Sequence, residues 1–237
     1  MTTLTLIIVL AIAVLLLLFV LLTDGRYFGK ALIYQVYDRL GPAIFSARSE
    51  AERWRDLLCR IHLRGDEAVL DVGTAVGDLP LTIAAMPGFQ GQVWGVDWSP
   101  RMIATAQATA RRRGLDERVQ FRVADLREAL PFDDDTFDLV FCLGLLETLP
   151  RPARRLRELR RVLKPEGTLV LSLYQGWATL SAALSLDWYR EHLTALGFQE
   201  IEVAPFRRNH KVVVAQKIGP LRFQAEEGQR YGETRAH

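Results

Sequence analysis

The chain has 237 residues, of which 49% are hydrophobic, and a net charge of +2 at neutral pH. That length accommodates one domain with a sizeable core and some chain to spare, and the small charge gives no argument for a nucleic-acid partner. The two cysteines, Cys59 and Cys142, are far apart, and His62, His192, His210 and His237 lack ligand spacing, so neither a disulfide framework nor a metal site is expected.

The first element is apolar throughout. From Leu6 to Leu22 the sequence LIIVLAIAVLLLLFVLL has no charge, glycine or proline, and about 17 helical residues reach roughly 25 Å. With the flanking threonines it is expected to cross a bilayer as an uncleaved anchor. A cleaved signal peptide would want a positive start and a small-residue cleavage site, whereas the first charge here is Asp24 and LLTDGRYFGK has no such site. Arg26, Lys30 and Arg39 follow the span and no basic residue precedes it, which puts the remainder of a single-pass protein in the cytoplasm. The expected organisation is an anchor over 1–25, interfacial or cap helices over 26–65, an α/β domain over 66–218 and a disordered polar tail over 219–237.

Tyr27, Phe28, Ala31, Leu32, Val36 and Leu40 recur at three- and four-residue spacings up to Gly41-Pro42, an amphipathic helix ending there. Its apolar side faces either the membrane interface or the globular domain. A second helix is expected from Ser49 through Trp54, Leu57, Leu58 and Ile61, with Glu50 and Glu52 in its first turn. From residue 67 strands and helices alternate: EAVLDVG, LPLTIAAMPG, GQVWGVDW, SPRMIATAQATARRRGL, VQFRVADL, FDLVFCLG, RPARRLRELRRVLKPEG, TLVLSLY. Such alternation predicts a parallel sheet covered by helices on both faces. LDWYREHLTALGF is then helical, and QEIEVAPF and HKVVVAQK form an antiparallel hairpin. In the helix from residue 151, Leu156, Leu159, Val162 and Leu163 face the core. Arg154, Arg157, Arg160, Arg161 and Lys164 make a solvated side, or one that meets anionic lipid headgroups.

In an open sheet of this kind a ligand lies off the carboxyl ends of the strands, where strand order reverses. Three carboxylates converge there: Asp71 with Gly73, then Asp97, then Asp125. Gly73 and Gly77 let the backbone approach a ligand, and Asp97 stands about 20 residues beyond Gly77, the separation at which an acidic side chain meets ribose hydroxyls. A nicotinamide site would want GxGxxG to seat a diphosphate. This loop reads Gly-Thr-Ala-Val-Gly, with Ala75 in the middle position and Asp71 and Asp78 nearby, which suits a cofactor bearing a sulfonium cation and no phosphate.

These stretches resemble the class I S-adenosylmethionine-dependent methyltransferases, in style the ubiquinone/menaquinone C-methyltransferase-like group. VLDVGTAVG is similar to the family's first motif except at Ala75, VWGVDWSPRMIATAQ to the second, VADLREALPFDDDTFDLVFC to the third, and LRELRRVLKPEGTLVLS to its later helix, turn and strand. The resemblance implies a Rossmann-like, seven-stranded α/β sheet with an antiparallel last strand, so that 66–218 is a methyltransferase domain. It also implies S-adenosylmethionine as cofactor, held by Asp71, Gly73, Thr74, Ala75, Gly77, Asp97, Trp98, Met102, Asp125, Leu126 and Cys142. Asp97 is then expected at the ribose, Trp98 and Met102 beside the adenine, and Asp125 at the adenine amino group with Leu126 next to it.

After the fourth strand this family commonly carries histidine, where the chain has Glu147 and Thr148. Glu147 as a general base and Tyr174 as an acceptor-pocket residue are the catalytic candidates. Since the sulfonium is already an activated leaving group, alignment and exclusion of water supply much of the acceleration. An anchor favours a hydrophobic acceptor, a quinone precursor, isoprenoid or phospholipid. A small soluble acceptor, a non-catalytic cofactor-binding membrane scaffold and a nucleotide-dependent oxidoreductase are the alternatives. QGWATLSAALS, where relatives build a lid over the acceptor, is short.

Overall fold

The computed structural model describes residues 3–22, 30–47, 51–174, 184–207 and 210–219. Seven strands form one sheet: β1 (Ala68–Val72), β2 (Gln92–Asp97), β3 (Val119–Val123), β4 (Phe137–Cys142), β5 (Leu163–Tyr174), β6 (Phe198–Arg207) and β7 (His210–Lys217). Their order is β3-β2-β1-β4-β5-β7-β6. The first five are parallel, and β7 runs antiparallel between β5 and β6. The terminal hairpin thus forms where the alternating sequences of both strands require it, with β7 spanning the residues read as a strand. Strand order reverses between β1 and β4, which opens a crevice at their carboxyl ends.

Helices cover both faces. On one lie α3 (Ala51–Arg60), α4 (Asp78–Ala84) and α5 (Pro100–Arg113), burying Leu57, Leu58, Leu79, Leu81, Ile83 and Ile103 against Val69, Phe141 and Val170. On the other lie α6 (Pro152–Val162) and the following helix, numbered α7 (Leu186–Ala195), burying Leu156, Leu159, Val162, Tyr189 and Leu193 against Leu70, Val140 and Leu171. Alternate residues of each strand serve the two cores, the period-2 consequence of a pleated strand. α5 has a serine cap, Ser99 Oγ accepting from the Met102 amide at 3.2 Å, with Pro100 next and Gly114 left-handed at its end.

Three boundaries differ from the sequence expectation. α2 (Lys30–Ser46) runs through Gly41-Pro42 instead of stopping there. Gly41 is a packing residue: a Cβ on it would stand 2.2 Å from Met102 Cε, so its absence lets α2 lie down on α5. The face of α2 turned to the domain carries Tyr34, Tyr37, Asp38 and Gly41, whereas Leu40 and Ile44 stay 55% and 45% exposed. α6 ends at Val162, and the Lys164–Gly167 stretch belongs to β5, because an irregularity sets Phe137 against Leu163 and the next pair, Leu139, against Thr168. The helix expected from Ser49 through Ile61 ends at Arg60, and its expected start lies outside the described residues. The basic side of α6 is partly spoken for within the domain: Arg155 is buried against the Arg127 carbonyl, Arg160 donates to the Leu196 carbonyl at 2.6 Å, and Arg161 binds Glu158 at 2.6 Å and Asp134 at 2.8 Å. Phe132 packs edge-on against the buried Phe137 at 4.9 Å.

The apolar N-terminal stretch is one helix, α1 (Thr3–Leu22), and its large side chains from Ile7 to Phe19 are 43–64% exposed. Side chains are described for 7–19 of it, and among the described residues no helix is long and apolar enough to cross a membrane. The expected anchor over 1–25 is therefore unsupported by the described residues. Tyr27 and Phe28, most of QGWATLSAALS and the tail from residue 220 lie outside them.

Candidate active site

The loop after β1 is built on left-handed backbone. Gly73 has φ +85°, Ala75 +49° and Gly77 +80°, conformations that glycine adopts freely and alanine at a cost. The Gly73 and Thr74 amides donate to the Val96 carbonyl at 2.8 and 3.0 Å, which ties the loop to the end of β2. Side chains would not fit at either glycine: a Cβ on Gly73 would come within 3.0 Å of Leu145, and one on Gly77 within 2.5 Å of the Phe121 ring. Ala75 therefore fills a glycine-type position, and its amide has a defined task. It donates to Asp97 Oδ2 at 3.0 Å.

Asp97 is the hub. It is 2% exposed, its Oδ1 accepts the Ser99 amide at 2.9 Å, and its Oδ2 also accepts the Tyr37 hydroxyl at 3.0 Å. Burial pushes its carboxyl up, against the opposing pull of these donors. Tyr37 belongs to α2, sixty residues away in sequence, and its ring stacks on Trp98 (centroids 5.6 Å, 27°). Tyr34 packs on the same indole at 5.1 Å. Asp38 completes the clasp, accepting from Ser99 Oγ at 2.6 Å and pairing with Arg101 at 3.3 Å. Burial, and then the charge of Asp97, raises the Tyr37 phenol far above its ordinary range, so it stays a donor. Neither the amphipathic period nor any motif marks Tyr37, because its partner is set by how α2 lands on α5.

Of the other residues singled out, Asp71 is 6% exposed on β1, and burial, with the charge of Asp97 adding, pushes its carboxyl up to about 7. Thr74 is buried beside it. Asp125 stands just past β3. Burial pushes its carboxyl up, but Arg127, bonded through its amide (2.8 Å) and guanidinium (2.5 Å), brings it below the usual range. The same guanidinium lies over the Tyr34 ring at 5.1 Å, so α2 reaches this carboxylate too. Three more of the predicted residues are buried. Met102 is fully buried beneath Gly41, and Leu126 and Cys142 sit in the core shared with α6, on the face opposite Asp71.

On the far side of the crevice, Ser172 Oγ donates to Glu147 Oε1 at 2.9 Å and accepts the Gly144 amide at 2.7 Å. Glu147 thus braces the loop after β4. The Tyr174 hydroxyl lies 3.0 Å from the Cβ that Gly144 would carry, and its ring stacks on His210 (4.3 Å, 17°). His210 faces Phe206 edge-on at 5.2 Å, Phe206 packs on Trp54 at 4.8 Å, and Trp54 Nε1 donates to Asp78 Oδ2 at 2.8 Å at the start of α4. Among the described residues no cluster could hold a metal ion. The whole arrangement is a crevice lined by carboxylates and bare backbone, with its nearby arginine committed to Asp125. It suits a cationic, phosphate-free cofactor better than a dinucleotide.

A doubly covered sheet of this order, with a glycine-bearing loop after β1 and a buried carboxylate after β2, defines a Rossmann-like cofactor-binding enzyme. A methyltransferase-domain model matches residues 63–207, more than half of the chain, which belongs to the S-adenosylmethionine-dependent methyltransferase family. It is 32% identical over 139 residues to the demethylmenaquinone methyltransferase of Bacillus subtilis, covering 58% of each chain, and 36% identical over 135 residues to that of Lactiplantibacillus plantarum, covering 56% of each. The chain thus spans a little over half the length of these curated relatives. Its fold matches a SAM-dependent methyltransferase from Aquifex aeolicus with a TM-score of 0.63 at 22% identity, over 75% of this chain and 98% of that one.

Proposed function

We propose that this protein transfers a methyl group from S-adenosylmethionine to a quinone-type aromatic acceptor presented at a membrane. The observation that carries the donor assignment is the convergence of Asp71, the Gly73–Gly77 loop and Asp97 on one crevice where strand order reverses. Asp97 holds the ribose hydroxyls, Trp98 flanks the adenine, Asp125 meets its amino group, and the backbone of the Gly73–Gly77 loop receives the remainder. Bound there, the donor supplies an activated methyl group on a sulfonium. Residues 66–218 make the catalytic domain, and 26–65, through α2 and α3, its cap.

The acceptor class is supported by the two demethylmenaquinone methyltransferases among the relatives and by the aromatic residues gathered at the ends of β5, β6 and β7. Tethering rests on α1, an uncharged 20-residue helix with outward apolar side chains, and raises the local concentration of a bilayer-borne acceptor. The basic residues that follow it, Arg26, Lys30 and Arg39, favour a catalytic domain on the cytoplasmic side. Titration calorimetry of the full chain in detergent micelles with S-adenosylmethionine tests donor binding; no heat at hundreds of micromolar removes the enzyme reading. Incubation with radiolabelled donor and native membranes then tests the acceptor, and label confined to protein or to the soluble pool removes the quinone.

A further inference from the structure

His210 opens β7 and is 7% exposed, yet both its ring nitrogens lack a hydrogen-bond partner among the described residues. Buried polar atoms are almost always satisfied, and an orphan in a native fold marks either a cost without return or a missing partner. Placement favours a partner. Cross-strand neighbours share a face of a sheet, and the row Asp71, Phe141, Val170, Val214 runs across β1, β4, β5 and β7. Tyr174 and His210, themselves paired, each lie four residues from that row toward the carboxyl edge, hence on the same face as Asp71.

The contacts around His210 close into a ring that begins and ends on the donor loop. Leu145 abuts Gly73, and Gly144 abuts the Tyr174 hydroxyl. Tyr174 stacks on His210, which meets Phe206. Phe206 meets Trp54, and Trp54 binds Asp78, the residue after Gly77. Resting on the methyltransferase reading above, we infer that this ring bounds the acceptor site and that His210 is its catalytic residue, taking the proton of a flat phenolic acceptor. The acceptor's O–H or C–H bond breaks, its electron pair makes the new bond to the methyl carbon, and the proton passes to an imidazole nitrogen. The pair of the sulfur–methyl bond stays on sulfur as a neutral thioether. Burial, and then the charge of Arg207, lowers the imidazole to about 4, so His210 is uncharged when the acceptor arrives, and the proton moves to this weak base in concert with the downhill transfer of the methyl group. The role of the histidine that the family commonly carries after β4 is thus taken by one on β7, and the stacked Tyr174 ring extends the flat surface on which an aromatic acceptor rests.

The test uses the full chain in detergent micelles with 1-naphthol as a phenolic probe and naphthalene as its hydroxyl-free counterpart. Wild type binds 1-naphthol about 10-fold tighter than naphthalene, and His210→Phe erases that preference while leaving naphthalene within about twofold. His210→Gln, which keeps an acceptor atom, restores part of it. In wild-type protein labelled with ¹⁵N-histidine, naphthol shifts the signals of one imidazole, the one missing from His210→Phe. Retention of the preference in His210→Phe, no preference in wild type, or no shifted imidazole overturns the assignment. S-adenosylmethionine, titrated separately, binds wild type and both variants alike. Loss of donor binding in wild type would count against the methyltransferase reading, independently of the naphthol result.

Discussion

Tyr37→Phe separates two roles for the clasp over Asp97. The hydroxyl donates to Asp97 Oδ2 at 3.0 Å, an oxygen that also receives the Ala75 amide, while Oδ1 receives Ser99. Oδ2 is thus fully used, and a ribose hydroxyl that takes this oxygen displaces the phenol. A hydrogen bond to a buried carboxylate is worth about 1.5–3 kcal/mol. Phenylalanine removes the competitor yet keeps the ring on Trp98 at 5.6 Å and against Phe45 at 5.8 Å, so α2 stays docked. Taking the lower end of that range, S-adenosylmethionine binds Tyr37→Phe about 10-fold tighter than wild type, and the donor-free protein loses about 1.5 kcal/mol of stability. Calorimetric titration with the donor, and urea denaturation without it, measure the two quantities. An unchanged or weaker donor affinity refutes the reasoning, since it would mean that the hydroxyl stays and helps hold the donor.

Three further outcomes follow from the donor loop. Ala75→Gly relieves a left-handed alanine at φ +49° and stabilises the protein by about 1 kcal/mol in denaturant unfolding, with donor affinity preserved; a loss of stability would show that the methyl packs productively. Gly77→Ala puts a Cβ 2.5 Å from Phe121 at φ +80° and destabilises by about 3 kcal/mol, read from the same curves. Asp71, held near 7 in the folded state against an ordinary 3.8, keeps a proton that the unfolded chain has released. Stability therefore falls as pH rises from about 4 to 7, by up to about 4 kcal/mol, and levels off above that. Asp71→Asn reduces the slope, and an unaltered slope would place the titrating group elsewhere.

Much of this was legible in the residues because it is local. Period and punctuation placed the seven strands, and the hairpin of β6 and β7 follows from two alternating runs. The glycine-bearing loop after β1 and the carboxylate after β2 declare a cofactor crevice once the strands are counted, since parallel order leaves one edge for all of them. Local signals misled where a residue's role is set by a neighbour. Gly41-Pro42 reads as a helix stop, yet Gly41 is there to admit Met102 and the helix continues. The α6 boundary shifts because β5 begins its pairing at Leu163.

Spacing along the chain determined by itself that this is a parallel-dominated α/β domain with a crevice for a sulfonium cofactor, preceded by a strongly apolar helix. Tertiary structure alone decided which groups meet there. Leu126 and Cys142 stand at motif positions and pack in the core shared with α6, and Met102 is buried beneath Gly41. Tyr37 reaches Asp97, and His210 reaches Tyr174, across sequence separations that no periodicity spans; only the docking of α2 on α5 and the antiparallel register of β7 on β5 bring them together.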